Sequence, residues 1–286
     1  MKNFYLFNIV LIMLYACSPS YKTSDSGVQY RIIEDSSSSP NAEPGGMVYM
    51  YMKFANETDT FISWKNNPEP MKFEIPRQFP YKGSFEEGLT MLSAGDSAEF
   101  RVVNDSLYTK VFGEKTLPKS IKKGGYTTFY VRITNVISRD SVKSLYEKQM
   151  KEALEREMQF QLDTTTIAEY LRKRKIKYEK SLDGVYVEIQ KKSTGITLQP
   201  GDTAKINYAG YLWDGKKFDS NEGKPPVVVI LGESSVIKGW VSGLMKMKKG
   251  EKAKIYIPSR HAFGPYGNGN EVPPNAKLIY EIEVLK

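Results

Sequence analysis

Ile206–Ser220 reads INYAGYLWDGKKFDS, Val236–Pro258 reads VIKGWVSGLMKMKKGEKAKIYIP, and His261–Leu285 reads HAFGPYGNGNEVPPNAKLIYEIEVL. Apolar residues alternate through these stretches. Ala204, Ile206 and Tyr208 fall on one face, with Lys205 and Asn207 on the other. Ala253, Ile255 and Ile257 alternate with Lys254 and Tyr256, and Leu278, Tyr280, Ile282 and Val284 repeat the pattern that Val185, Val187 and Ile189 begin. A period of two marks half-buried antiparallel strands. One short helix, around Gly239 to Met247, is placed to cover the concave face. The expected unit is α+β, a sheet curled around a single helix.

The first half of the chain echoes the second. Gly239-Trp240-Val241-Ser242-Gly243-Leu244 leads to Met247, Gly250 and Ala253. Ser84-Phe85-Glu86-Glu87-Gly88-Leu89 leads to Leu92, Gly95 and Ala98 at the same spacings. Tyr208 precedes Phe218 by ten residues, as Tyr51 precedes Phe61. Val111-Phe112-Gly113 echoes Ala262-Phe263-Gly264, and Phe129, Val131 and Ile133 echo Tyr280, Ile282 and Val284. Two related domains are expected, at 27–138 and 182–286.

Between them, 139–181 reads as a helical linker. Val142, Leu145, Tyr146, Met150, Leu154, Met158 and Leu162 recur every three to four residues among charges, the mark of an amphipathic helix. Asp163 with Thr164 to Thr166 predicts a stop and a new cap before a second helix carrying Ile167, Tyr170 and Leu171. The linker reads either as a connector packed on a neighbouring domain or as a dimerisation or client-cradling helix.

At 286 residues the chain has room for two domains. Its 41 basic residues are scattered among 33 acidic ones, for a net charge of +8. No basic-aromatic recognition motif accompanies that charge, so nucleic acid is not an expected partner, and a weak attraction to anionic lipid fits better. Residues 1–16 have a basic start at Lys2 and a short apolar run from Phe4 to Leu14, too short to span a bilayer. They end in Leu14-Tyr15-Ala16-Cys17, which resembles a bacterial lipoprotein signal. The resemblance implies acylation of Cys17, the chain's one cysteine, and anchoring in the cell envelope, in the outer membrane facing the periplasm. Residues 17–26 read as a flexible tether.

The ordered aromatic and apolar set of the final ~90 residues resembles the FKBP-type peptidyl-prolyl cis-trans isomerases. The resemblance implies two FKBP-like domains, each an antiparallel sheet curled around a short helix and joined by the helical linker. By that resemblance, Trp240 is the floor under a substrate proline. Tyr208, Phe218, Val227, Val236, Ile237, Phe263 and Tyr280 supply the walls, and Asp219 is the polar member at the edge. The backbone N–H of Ile237 is the implied donor to the substrate carbonyl. The chain departs from the family pattern in places. Phe263 and Val227 stand where Tyr and Phe are common, the loop Asn221-Glu222-Gly223-Lys224 lacks a frequent arginine, and Glu271 replaces an apolar flap residue.

Rotating an X–Pro bond crosses a barrier of ~18–20 kcal/mol and needs neither nucleophile nor metal. At the top of that barrier the amide is twisted and less polar, so an apolar cavity favours it over the planar, hydrated forms. No cofactor and no metal are expected, since one histidine, an acylated cysteine and no clustered carboxylates leave few ligands. Proline-containing exported polypeptides are the expected partners, with a homodimer through the linker or the first domain as a further reading. The first domain has Ile62 where Asp219 stands, Phe85 for Trp240, and Glu114–Lys119 in place of the Val-Pro-Pro-Asn-Ala run. A noncatalytic unit is expected there. The competing function is a chaperone or docking protein with a vestigial pocket.

Overall fold

A computed structural model describes residues 20–36, 39–56, 60–62, 68–233 and 236–286, with the side chains of 60–62 left aside. Cys17 and the signal segment lie outside the described residues. The chain divides between Glu147 and Lys148 into two units.

The first unit comprises β1 (Lys22–Thr23), β2 (Gln29–Glu34), β3 (Met47–Ala55), β4 (Thr60–Ile62), β5 (Met71–Glu74), α1 (Phe85–Leu89), β6 (Ser97–Val103), α2 (Asn104–Ser106) and β7 (Tyr126–Ile137). The helix α3 (Arg139–Lys173) follows. The second unit continues with β8 (Glu179–Lys180), β9 (Tyr186–Lys191), β10 (Thr203–Leu212), β11 (Lys217–Ser220), β12 (Val227–Ile230), α4 (Lys238–Leu244), β13 (Lys252–Ile257) and β14 (Leu278–Val284). Both sheets are antiparallel. The first runs β1-β2-β6-β7-β3-β4 with β5 also on β3, and the second runs β8-β9-β13-β14-β10-β11 with β12 also on β10. The two orders are the same, strand for strand.

Burial follows the alternation. On β14, Leu278, Tyr280, Ile282 and Val284 are buried while the residues between them are half-exposed. They meet Ile206, Ala253, Ile255 and Leu244 in one apolar core. The helix α4 can lie close on β13 because Gly239 and Gly243, four apart and so on one face, carry no side chain. A Cβ on Gly243 would come within 2.6 Å of Ile255 Cδ1.

Register corrects one echo. Phe54 pairs with Phe129 as Gly210 pairs with Tyr280, so Met52, opposite Val131, matches Tyr208, opposite Ile282. Tyr51 therefore sits one residue out of place, and a one-residue slip turns a side chain to the other face. Met52 and Phe54 pack on the first core, whereas the Tyr51 hydroxyl donates to the Pro68 carbonyl at the surface. Phe112 does not match Phe263 in setting either, being 49% exposed beside Tyr108.

The tether expected over 17–26 is partly built into the sheet. Lys22 and Thr23 pair with Tyr30 and Gln29, and the Tyr21 hydroxyl donates to Glu99 at 2.6 Å. The break expected at Asp163 is also absent, because α3 runs unbroken for 35 residues. The hydroxyls of Thr164 and Thr166 bond back to the Phe160 and Leu162 carbonyls within the helix. The Asp163 carboxylate, instead of capping, is fully buried and accepts from Ser259. Ile167 and Leu171 then pack on Tyr186 and Tyr256. The stretch expected as a helical linker over 139–181 thus belongs to the second unit from Lys148 onward.

Candidate functional site: an aromatic pocket in the second unit

β10, β14 and α4 bring the distant members of the aromatic set together. Trp240, on the first turn of α4, is 5% exposed, and Tyr280 on β14 is 3% exposed. The Tyr208 ring meets the indole at 4.8 Å and 71°, and Tyr280 meets it edge-on at 5.1 Å and 87°. Phe218 on β11 abuts Tyr280 at 5.7 Å and 82°. Edge-to-face pairs of this kind are worth ~0.5–1.5 kcal/mol each beyond their burial. Val227, Val236, Ile237 and Phe263 are half-buried against the same core. Every apolar residue named from the sequence therefore lies on one hydrophobic cluster.

Asp219 is exposed at the edge and accepts a 2.8 Å hydrogen bond from the Tyr208 hydroxyl. Burial, and then the Asp219 carboxylate, push the Tyr208 phenol up to about 12. Burial pushes the Tyr280 phenol up as well, helped by the Asp219 charge. Both rings therefore remain neutral and apolar at any physiological pH. Ile237 is the extended residue before α4, and its carbonyl accepts from Trp240 N–H. Its own amide meets no acceptor among the described residues. The indole Nε1 is buried with no hydrogen-bond partner among the described residues.

The sequence reading passed over three contributors. Asn221, read only as part of a loop, is buried; its Oδ1 accepts from Tyr208 N–H and its Nδ2 donates to the Ile206 carbonyl, which fixes the strand carrying Tyr208. Gly210 leaves room for Tyr280 and Phe218, since a Cβ there would lie 2.7 and 2.9 Å from their rings. A glycine inside an alternating strand is the signal for such a close approach. The third is the segment leading to Phe263, held from two sides. Asp163 on α3 accepts from Ser259 N–H at 2.8 Å and Oγ at 2.5 Å, and pairs with Lys277 at 3.5 Å. Asp183 accepts from Ser181 and from Ser242 on α4, and lies beside His261. Burial raises the Asp183 pKa, but those two hydroxyls and His261 outweigh it, and the result is a carboxyl below its usual value. No local pattern announced these pairings.

In the matching region of the first unit three phenylalanine rings stand close together. Phe85 stacks on Phe129 at 4.4 Å, and Phe54, at the Gly210 position, lies 5.1 Å from the same ring.

Residues 195–285 match a family described as FKBP-type peptidyl-prolyl cis-trans isomerase. An FK506-binding protein of Neisseria meningitidis serogroup C is 40% identical over 106 residues, which is 37% of this chain and 97% of that protein. FK506-binding protein 1A of Emericella nidulans is 43% identical over 104 residues, 35% of this chain and 96% of that one. A crystal structure titled as a peptidyl-prolyl cis-trans isomerase of Pseudomonas syringae pv. tomato is 30% identical with a TM-score of 0.38, covering 46% of this chain and 93% of that chain. With nearly the whole of those bacterial and fungal relatives spanned at about two residues in five, the chain belongs, through its second unit, to the FKBP-type peptidyl-prolyl cis-trans isomerases.

Proposed function

We propose that the pocket floored by Trp240 is where this isomerase twists its X–Pro bond, with the protein working on exported polypeptides in the cell envelope. The observation that carries the reading is that Tyr208 and Tyr280 meet the indole while Phe218 abuts Tyr280 from the side. Such a cavity replaces the water around an amide with apolar surface. A planar amide, with its large dipole, loses hydration there; the half-rotated amide has less to lose, and that difference lowers the barrier. The Ile237 amide is placed to steady the substrate carbonyl. The Asp219–Tyr208 bond fixes one wall, and no proton transfer is required of any residue. Lipid on Cys17 would hold the protein at the membrane.

The first unit, in this reading, is a second copy of the fold whose cavity has been filled and which serves spacing or client binding. Phe54 and Phe85, packed on Phe129, favour that noncatalytic role.

A protease-coupled assay of an X–Pro tetrapeptide, run on the full chain, tests the site. Trp240→Ala should abolish turnover and Asp219→Ala, at an exposed position, should lower it several-fold with the fold retained by circular dichroism. Turnover surviving both changes would place the chemistry elsewhere. Buffer-level turnover in the unmodified chain would favour a chaperone with a vestigial pocket. Release of a Cys17→Ala variant from membranes tests the anchor.

A further inference from the structure

The amphipathic face read along α3 is not covered as a core face would be. Of its residues, Val142 is buried, but Tyr146, Met150, Leu154, Met158 and Leu162 are 46–75% exposed. These five recur every fourth residue, and at ~100° per residue each step of four turns the stripe by ~40°. Over the sixteen residues from Tyr146 to Leu162 it winds by ~160°. A seam for a second helix alternates threes and fours to stay on one side. This stripe does not, so a paired copy of α3 is a poor occupant.

At its C-terminal end the stripe meets another exposed apolar group. Met158, Leu162, Pro265 and Tyr266 line a groove of about 630 Å³ together with the charged Glu152, Glu155 and Arg156. That lies within the ~300–1,000 Å³ of ligand-sized clefts. Tyr266 is 88% exposed. Both walls are fixed. Asp163, next to Leu162, is bonded to Ser259; Glu157, next to Met158, is paired with Arg260 at 2.7 Å; and Phe160 packs edge-on against His261. The same Ser259–His261 turn leads to Phe263 on the pocket wall, and Tyr266 follows three residues later. The groove and the pocket therefore share one piece of chain, pinned in place before any ligand arrives.

We propose that this groove is an extended subsite for the substrate polypeptide, taking an apolar side chain a few residues from the proline held over Trp240. The proposal rests on the pocket assignment given under Proposed function. A tetrapeptide reaches at most ~14 Å and a decapeptide ~35 Å, so only the longer chain has much length to spare beyond the pocket. Methionine suits the task, since its flexible thioether adapts to varied side chains, and an unfolded client offers no fixed shape. Preorganised walls reduce the ordering that binding such a chain requires.

The test uses the full chain and two fluorescein-labelled probes, an Ala-Leu-Pro-Phe tetrapeptide and twelve-residue peptides carrying the same core with leucines placed three to five residues to either side. Anisotropy titrations give the ratio of long- to short-peptide affinity. That ratio should exceed ten in the parent and fall at least fivefold in Met158→Gln/Leu162→Gln and in Tyr266→Ser, all at exposed positions that the fold tolerates. A ratio unaltered by both variants overturns the proposal. So does sedimentation showing a parent dimer that the double variant dissociates while peptide affinities stay the same, which would give the groove to a second copy. Tetrapeptide turnover, measured alongside, separates the two claims. A parent without turnover defeats the isomerase site, and the affinity ratio still decides the groove.

Discussion

Gly210→Ala should damage the pocket without replacing any side chain that lines it. The added methyl would lie 2.7 Å from Tyr280 Cε1 and 2.9 Å from Phe218 Cζ. Ordinary carbon contacts begin near ~3.5 Å, so the rings have to retreat by roughly 0.8 and 0.6 Å. Tyr280 has little room, because Trp240 stands against it at 5.1 Å. Overpacking of this kind costs ~1–3 kcal/mol, and the strand preference of alanine over glycine returns ~0.5–1 kcal/mol. The net loss of stability should be about 1 kcal/mol. Turnover should fall further, at least tenfold in kcat/KM, which is only ~1.4 kcal/mol at the transition state. Protease-coupled kinetics on an X–Pro tetrapeptide and urea melts of the same preparations measure both. A variant with parental kcat/KM would refute the claim that Gly210 keeps this cavity open. The first unit carries a far larger side chain at that register, with the Phe54 ring 5.1 Å from Phe129.

Asp163→Ala should destabilise the second unit by ~3–5 kcal/mol, because Lys277 loses its buried partner and Ser259 its acceptor; a urea midpoint equal to the parent's would contradict that. Turnover should be flat from pH 7 to 10, since the Tyr208 phenol titrates only at about 12; a bell-shaped profile would implicate proton transfer. Stability should decline as pH falls below ~6.5. Burial lowers the pKa of His261 despite Asp183, so the unfolded chain takes up the proton first, and each step down in pH until the folded value favours unfolding. Urea melts at pH 7.5 and 5.5 should differ less in His261→Gln than in the parent; equal differences would clear His261 of the effect.

The strands and the pocket aromatics were legible because each announces itself locally. Val185, Ile206, Ile255 and Tyr280 obey a period of two, and the order Tyr208, Phe218, Trp240, Tyr280 is a family pattern. Register was less legible. Tyr51 and Phe61 reproduce the spacing of Tyr208 and Phe218, but Phe54 to Ile62 is one residue shorter than Gly210 to Asp219, so counting along the chain misplaces one strand face. The helix break failed for a different reason. Asp163 and three threonines are cap chemistry in isolation, yet the carboxylate finds better partners nearly a hundred residues away in Ser259. Tertiary partners of that kind leave no trace in a local window. The exposure of Met158 and Leu162 was equally hidden, since periodicity marks a face as apolar without naming what lies against it.

The early start of β1 has a mechanical consequence. Ordered pairing begins at Lys22, and Tyr21 is already tied down by Glu99 with its ring under the Arg101 guanidinium at 3.8 Å. With acyl chains on Cys17, three residues would lie between the anchor and Tyr21, and the four Cα-to-Cα steps make a leash of at most ~14 Å. On so short a leash the first unit would not roam the compartment; it would ride on the lipid surface, and lengthening the 18–20 segment with a Gly/Ser insert would be the way to lift it off.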